Sequence, residues 1–205
     1  NKIRFNVNGN NVMIHDGKTL HFATGTNTYI GGNAGAATTA TGVNNTYLGY
    51  DAGTLNTAGK HNTAMGYAAL RGITNGNMNT AVGDSALLGA TSGSQNTAVG
   101  RGALRSNTAS NNTALGSQAL ANNTTGLGNN AFGVNAMFTN TTGSNNLAFG
   151  SAALFSNTTG ANNAAIGFNS LFSNTTGTFN LALGRNSLFS NTSGASNIAI
   201  GYNSL

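Results

Sequence analysis

Few residues in this chain could do chemistry, and they are scattered. His15 and Asp16 adjoin and His21 follows, so three donors of the kind that hold a metal ion fall within one short stretch, while His61 stands alone. Ordinary loop polarity accounts for the same residues, and acid-base catalysis would need a positioned pair in a shaped pocket. All three acidic side chains are aspartates (Asp16, Asp51, Asp84), and cysteine is absent, which removes disulfides and thiolate metal sites. The sequence therefore predicts no catalytic residue, no metal, no cofactor and no enzyme.

Modification and binding leave clearer marks. Asn123, Asn140, Asn157, Asn174 and Asn191 each begin Asn-x-Ser/Thr, and Asn44, Asn111 and Asn122 also satisfy that glycan-acceptor pattern. The same Asn-Thr-Thr-Gly wording is good turn chemistry, so a capped turn competes with a glycan column. Phe138, Phe155, Phe172 and Phe189 recur at one period, a stripe too apolar to be left in water, which marks a packing interface or a platform for sugar rings. Thr46, Thr63, Thr80, Thr97 and Thr113 form another column, and threonine arrays raise the possibility of an ice-binding face. Against it, Thr158 and Thr159 are adjacent, so in an extended chain they point oppositely.

What must position these columns is a repeat. Asn27, Asn45, Asn62, Asn79, Asn96, Asn112, Asn129, Asn146, Asn163, Asn180 and Asn197 each open a unit of the form Asn-x-Ala-apolar-Gly, one period of about seventeen residues. Both segments of a unit are too short and too rich in Gly, Asn and Thr for helix pairs. The prediction is an all-β, parallel β-solenoid or β-roll of about eleven coils over residues 27 to 205. Within each strand the fourth position (Ile30, Leu48, Met65, Val82, Val99, Leu115, Phe132, Phe149, Ile166, Leu183, Ile200) is expected to face the core. The third, mostly Ala, is expected to pack closely on the other face. A second apolar column runs Leu70, Leu87, Leu104, Leu120, Met137, Leu154, Leu171, Leu188 and Leu205. The opening asparagines, Asn62, Asn79, Asn96, Asn112, Asn129, Asn146, Asn163, Asn180 and Asn197 among them, are expected to form an amide ladder.

Residues 1 to 26 lie outside the repeat. Apolar alternation on both sides of Asn8-Gly9 predicts an antiparallel hairpin there, serving as cap or connector. The last unit ends at Leu205 without a polar cap, and two expectations account for it equally: another copy covers it, giving head-to-tail filaments, or the sequence is a piece of a longer chain.

Composition restricts partners. The net charge of +5 is spread thinly over eight basic and three acidic residues, without the clustered Lys and Arg of a nucleic-acid groove. No apolar run reaches membrane-spanning length, and residues 1 to 20 lack the zones of a signal peptide, so a secreted protein would be in its mature form.

The stretch Ser196-Asn197-Ile198-Ala199-Ile200-Gly201 resembles the strand motif of trimeric autotransporter adhesin heads. The longer unit from Asn163 to Gly177, and the opening Thr26 to Gly35, resemble the seventeen-residue arrays of bacterial surface proteins with tail-fibre domains. That resemblance spans residues 27 to 205 and implies an elongated, commonly trimeric object at the cell surface or outside the cell. The resulting expectation is a structural subunit of an extracellular fibre, with itself as main partner and glycans as a further one. The alternatives are a trimeric glycan-binding adhesin or tail-fibre-like shaft and an ice-binding solenoid.

Overall fold

The computed structural model describes residues 27–205 throughout and, before them, the backbone of three strands. β1 (Ile3–Val7) and β2 (Asn10–His15) pair antiparallel with Val7 opposite Asn10, and β3 (Leu20–His21) adds to β2. Asn8 and Gly9, where the sequence predicts the turn, and the side chains of His15, Asp16 and His21 lie outside the described residues.

From β4 (Thr28–Ile30) to β14 (Ile198–Ile200) the chain forms one parallel sheet of eleven three-residue strands in strict sequence order. Register is kept throughout: Thr80 lies opposite Thr97, Ala81 opposite Ala98, Val82 opposite Val99. The departures from the period fall in turns, so they leave the sheet untouched. Thr97 still pairs with Thr113 across the short unit: the Asn96 amide donates to the Ala109 carbonyl thirteen residues on, where units of seventeen use a glycine carbonyl fourteen residues on and the longer Asn27 unit one fifteen residues on.

Inside and outside are assigned opposite to the expectation for the fourth position. Ala64, Ala81, Ala98, Ala114, Ala131, Ala148, Ala165 and Ala182 are buried, whereas Leu48, Met65, Leu115, Phe149, Leu183 and Ile200 are between 38 and 65 % exposed. The coil is thin. Strand alanines sit in one buried cluster with the Leu column and with Ala69, Ala86, Ala103 and their equivalents, which leaves no space inside for a branched strand side chain. The first two coils show the same constraint with volumes exchanged. Tyr29 and Tyr47 replace the strand alanine, stack at 5.1 Å, and face Gly35 and Gly53 where later coils carry leucine.

Tight corners close each coil. The fifth-position glycine has φ near 130°; a Cβ on Gly83 would lie 2.7 Å from the Gly100 carbonyl oxygen of the next coil. Less usual, the leucine column is itself left-handed, with φ from 47 to 55° between Leu70 and Leu188. Such a conformation costs roughly 1–2 kcal/mol per residue. Full burial of Leu87, Leu104 and Leu120 offsets it, as do coil-to-coil bonds such as Leu87 N–H to the Ala103 carbonyl at 2.9 Å.

Asparagine satisfies the buried backbone at these corners. The Asn62 backbone N–H donates to Asn45 Oδ1 at 2.9 Å, the Asn79 N–H to Asn62 Oδ1 at 2.9 Å, and each side-chain amide also donates to a turn carbonyl, as Asn62 does to Gly76 at 2.9 Å. This is the expected ladder, with a difference. Its main rungs join side chain to backbone, so it completes main-chain bonding that the bend would leave unpaired.

Candidate functional site

The eight candidate glycan acceptors divide into two groups. Asn123, Asn140, Asn157 and Asn174 are fully buried and form a second ladder: Asn140 Nδ2 donates to Asn123 Oδ1, and Asn157 Nδ2 to Asn140 Oδ1, each at 2.7 Å. The nitrogen that would carry a sugar is thus engaged inside the folded coil at these four positions. Asn191 continues the ladder to Asn174 at 3.0 Å and is partly buried. Asn44 and Asn111 are exposed and Asn122 partly so. The ladder is interrupted where Ile73 and Ala90 replace its asparagine, both buried.

Threonine hydroxyls at the turns are likewise engaged. Thr124 Oγ1 donates to the Thr141 carbonyl at 2.9 Å and Thr141 Oγ1 to the Thr158 carbonyl at 3.0 Å, one coil to the next. A threonine already bonded along the axis presents little hydroxyl to ordered water. Among the described residues no group of three His, Cys, Asp or Glu is placed to hold a metal ion, and no helix is long and apolar enough to cross a membrane.

The four phenylalanines meet as a continuous ladder. Ring centroids are 5.5 Å apart for Phe138 and Phe155 and 5.2 Å for each later pair, with planes within 12°. Phe138, Phe155 and Phe172 are half-buried and Phe189 is exposed, so one flank of the stack reaches solvent.

A surface feature that runs through every coil is the outer face of the eleven-stranded sheet, built from the second and fourth strand positions. The fourth position is apolar in every coil; the second is Thr in the first six coils, then Asn130, Leu147, Ala164, Leu181 and Ile198. No charged residue occurs at either position in any strand. Sequence reasoning had sent the fourth position to the core and so overlooked this face. A signal was present: the third position is held at Ala in nine coils while the fourth varies among Ile, Leu, Met, Val and Phe. Fixed volume marks a packed interior, and freely varying bulk marks a surface.

Together the fold and this face define a class, the parallel β-solenoid with one apolar sheet face open to solvent. Comparison of the chain with protein-family models, with curated proteins and with solved structures gave no match.

Proposed function

We propose that this chain is a structural subunit of an extracellular fibre, that it acts by assembly rather than turnover, and that its copies meet along the outer sheet face. The observation carrying the proposal is the uncharged apolar face. Its fourth-position side chains, joined by Leu147, Ala164, Leu181 and Ile198, present on the order of 1000 Å² of partly exposed apolar surface. The largest such patch on an ordinary monomer is about 300–600 Å², and a standard interface needs about 800 Å² from each partner. Exposed strands that must stay apart usually carry charges, and this sheet face has none.

Placement outside the cell rests on the repeat's resemblance to bacterial surface arrays. Stacking of coils end to end, the mode the repeat predicts, would extend such an assembly along its axis. A trimeric glycan-binding shaft is the second reading; the solvent-facing flank of the phenylalanine ladder favours it because sugar rings stack on such rings.

Light scattering after size exclusion tests the proposal, comparing wild type with a triple variant carrying Val99→Lys, Leu115→Lys and Ile166→Lys. The wild type is expected to elute as an assembly larger than a monomer and the variant, with unchanged circular dichroism, as a smaller species. A wild-type monomer at high micromolar concentration would overturn lateral assembly.

A further inference from the structure

A cleft of about 350 Å³ opens midway along the solenoid, where the phenylalanine ladder begins. Its walls are Asp84, Leu88, Arg101, Arg105, Gln118 and Phe138, with buried Ala121 at the floor. The cleft follows from one break in a column. In the residue after each buried leucine the order is Arg105, Ala121, Phe138, Phe155, Phe172, Phe189. Each later coil supplies one ring, and rings lie 5.2–5.5 Å apart, so the coil of Ala121 leaves a place one ring thick. Phe138 is stacked by Phe155 on one face; among the described residues no ring covers the other.

Charge supplies an independent sign. Only eleven of 205 residues are charged, yet Asp84, Arg101 and Arg105 converge on this cleft. Arg71 lies 3.9 Å from Asp51, and Arg185 sits over the Phe168 and Tyr202 rings. Arg101 and Arg105, by contrast, have exposed side chains with no ion pair or hydrogen bond among the described residues. Two guanidinium groups against one carboxylate leave this cleft net positive beside an open aromatic face, which suits a ligand that combines a carboxylate with a ring.

We propose that this cleft binds a carboxylated sugar, its ring filling the vacant place in the ladder against Phe138 and its carboxylate held by Arg101 and Arg105. Guanidinium groups take a carboxylate through paired hydrogen bonds. The C–H face of a pyranose packs on Phe138 and Leu88, while Asp84 and Gln118 offer acceptors and a donor to ring hydroxyls. Inorganic phosphate can meet the guanidinium groups but has no ring to fill the place against Phe138, so it should bind more weakly. The site is independent of assembly through the sheet face.

Ligand-observed saturation-transfer NMR on the full chain tests this, with galacturonic acid and N-acetylneuraminic acid as probes and galactose and inorganic phosphate as comparisons. Either acid is expected to bind with Kd on the order of 0.1–1 mM; which of the two binds tighter identifies the source of the carboxylate. Galactose should be at least tenfold weaker, as should either acid with the Arg101→Ala, Arg105→Ala double variant. Ala121→Phe should abolish binding while adding a fifth ring to the ladder and keeping the β circular dichroism. Absence of transfer to both acids, equal transfer to galactose, displacement by equimolar phosphate, or undiminished binding by a folded Ala121→Phe chain would overturn the assignment.

Discussion

Replacing Asn146 by leucine isolates what an asparagine rung contributes. Asn146 Nδ2 donates to the Gly160 carbonyl at 2.8 Å and to Asn129 Oδ1 at 3.2 Å, and its Oδ1 accepts from the Asn163 backbone N–H at 3.0 Å and from Asn163 Nδ2 at 3.1 Å. Leucine keeps the volume and removes all four bonds. Three of the partners stay satisfied: the Gly160 carbonyl still accepts from Asn157 at 2.9 Å, Asn163 Nδ2 still donates to Gly177 at 2.8 Å, and Asn129 Oδ1 still accepts from the backbone N–H of residue 146 at 3.0 Å. The Asn163 N–H is buried and loses its acceptor, a cost of about 1–3 kcal/mol, to which each good bond lost adds about 1 kcal/mol. The expected loss is about 3 kcal/mol. Urea unfolding followed by circular dichroism gives the total, and because stacked coils open locally, hydrogen exchange at the Asn163 amide should quicken about a hundredfold. Thr142→Val, on an exposed turn, should stay within about 0.5 kcal/mol. A loss for Asn146→Leu no larger than that of Thr142→Val would refute the view that asparagine completes the backbone at the corner.

Three further outcomes follow from the thin interior. Ala148→Leu, pointing inward, should cost about 1–3 kcal/mol by overpacking, whereas Phe149→Leu on the outer face of the same strand should stay within about 0.5 kcal/mol in monomeric protein; equal losses in urea unfolding would contradict the inside-outside assignment. Tyr47→Ala and Gly53→Leu should each destabilise alone, yet the double variant recreates the Ala64 and Leu70 pairing and should recover at least about 1 kcal/mol of their sum; additive losses would deny that the two positions share one volume. Burial, with a smaller contribution from Tyr29, pushes the Tyr47 phenol far above its ordinary value of 10.0, so the folded state holds that proton more tightly than the unfolded chain. Its contribution to stability is complete below pH 10 and falls as pH rises beyond it, which urea midpoints across alkaline pH would reveal as a slope absent from Tyr47→Phe.

Much of this architecture can be read from the chain. The recurrence of Asn and Gly gives the coil, the Asn8-Gly9 signal gives the hairpin, and the invariance of the opening asparagines gives the ladder. The assignment of faces was harder, because hydrophobicity alone awards the core to Ile, Leu and Phe over Ala, and only the narrowness of the coil reverses that order. The exchange of Tyr47 and Gly53 for Ala64 and Leu70 held the clue: two positions that trade volume must share one interior. The ladder role of Asn140 and its equivalents was hidden for a related reason. An acceptor pattern is local, whereas burial of Nδ2 depends on the coil stacked next to it. The cleft over Ala121 arises from a single small residue in a column of large ones, visible only once the column is known to be stacked.

Lateral assembly can be measured at the residue level, since the chain has no cysteine of its own. A spin label on Val99→Cys sits on the outer sheet face, and one on Thr125→Cys on an exposed turn. Pulsed electron resonance on each labelled protein is predicted to give a short, well-defined distance between copies for position 99 and a long or featureless one for position 125. Absence of any intermolecular distance at 99, or a shorter one at 125, would contradict the account.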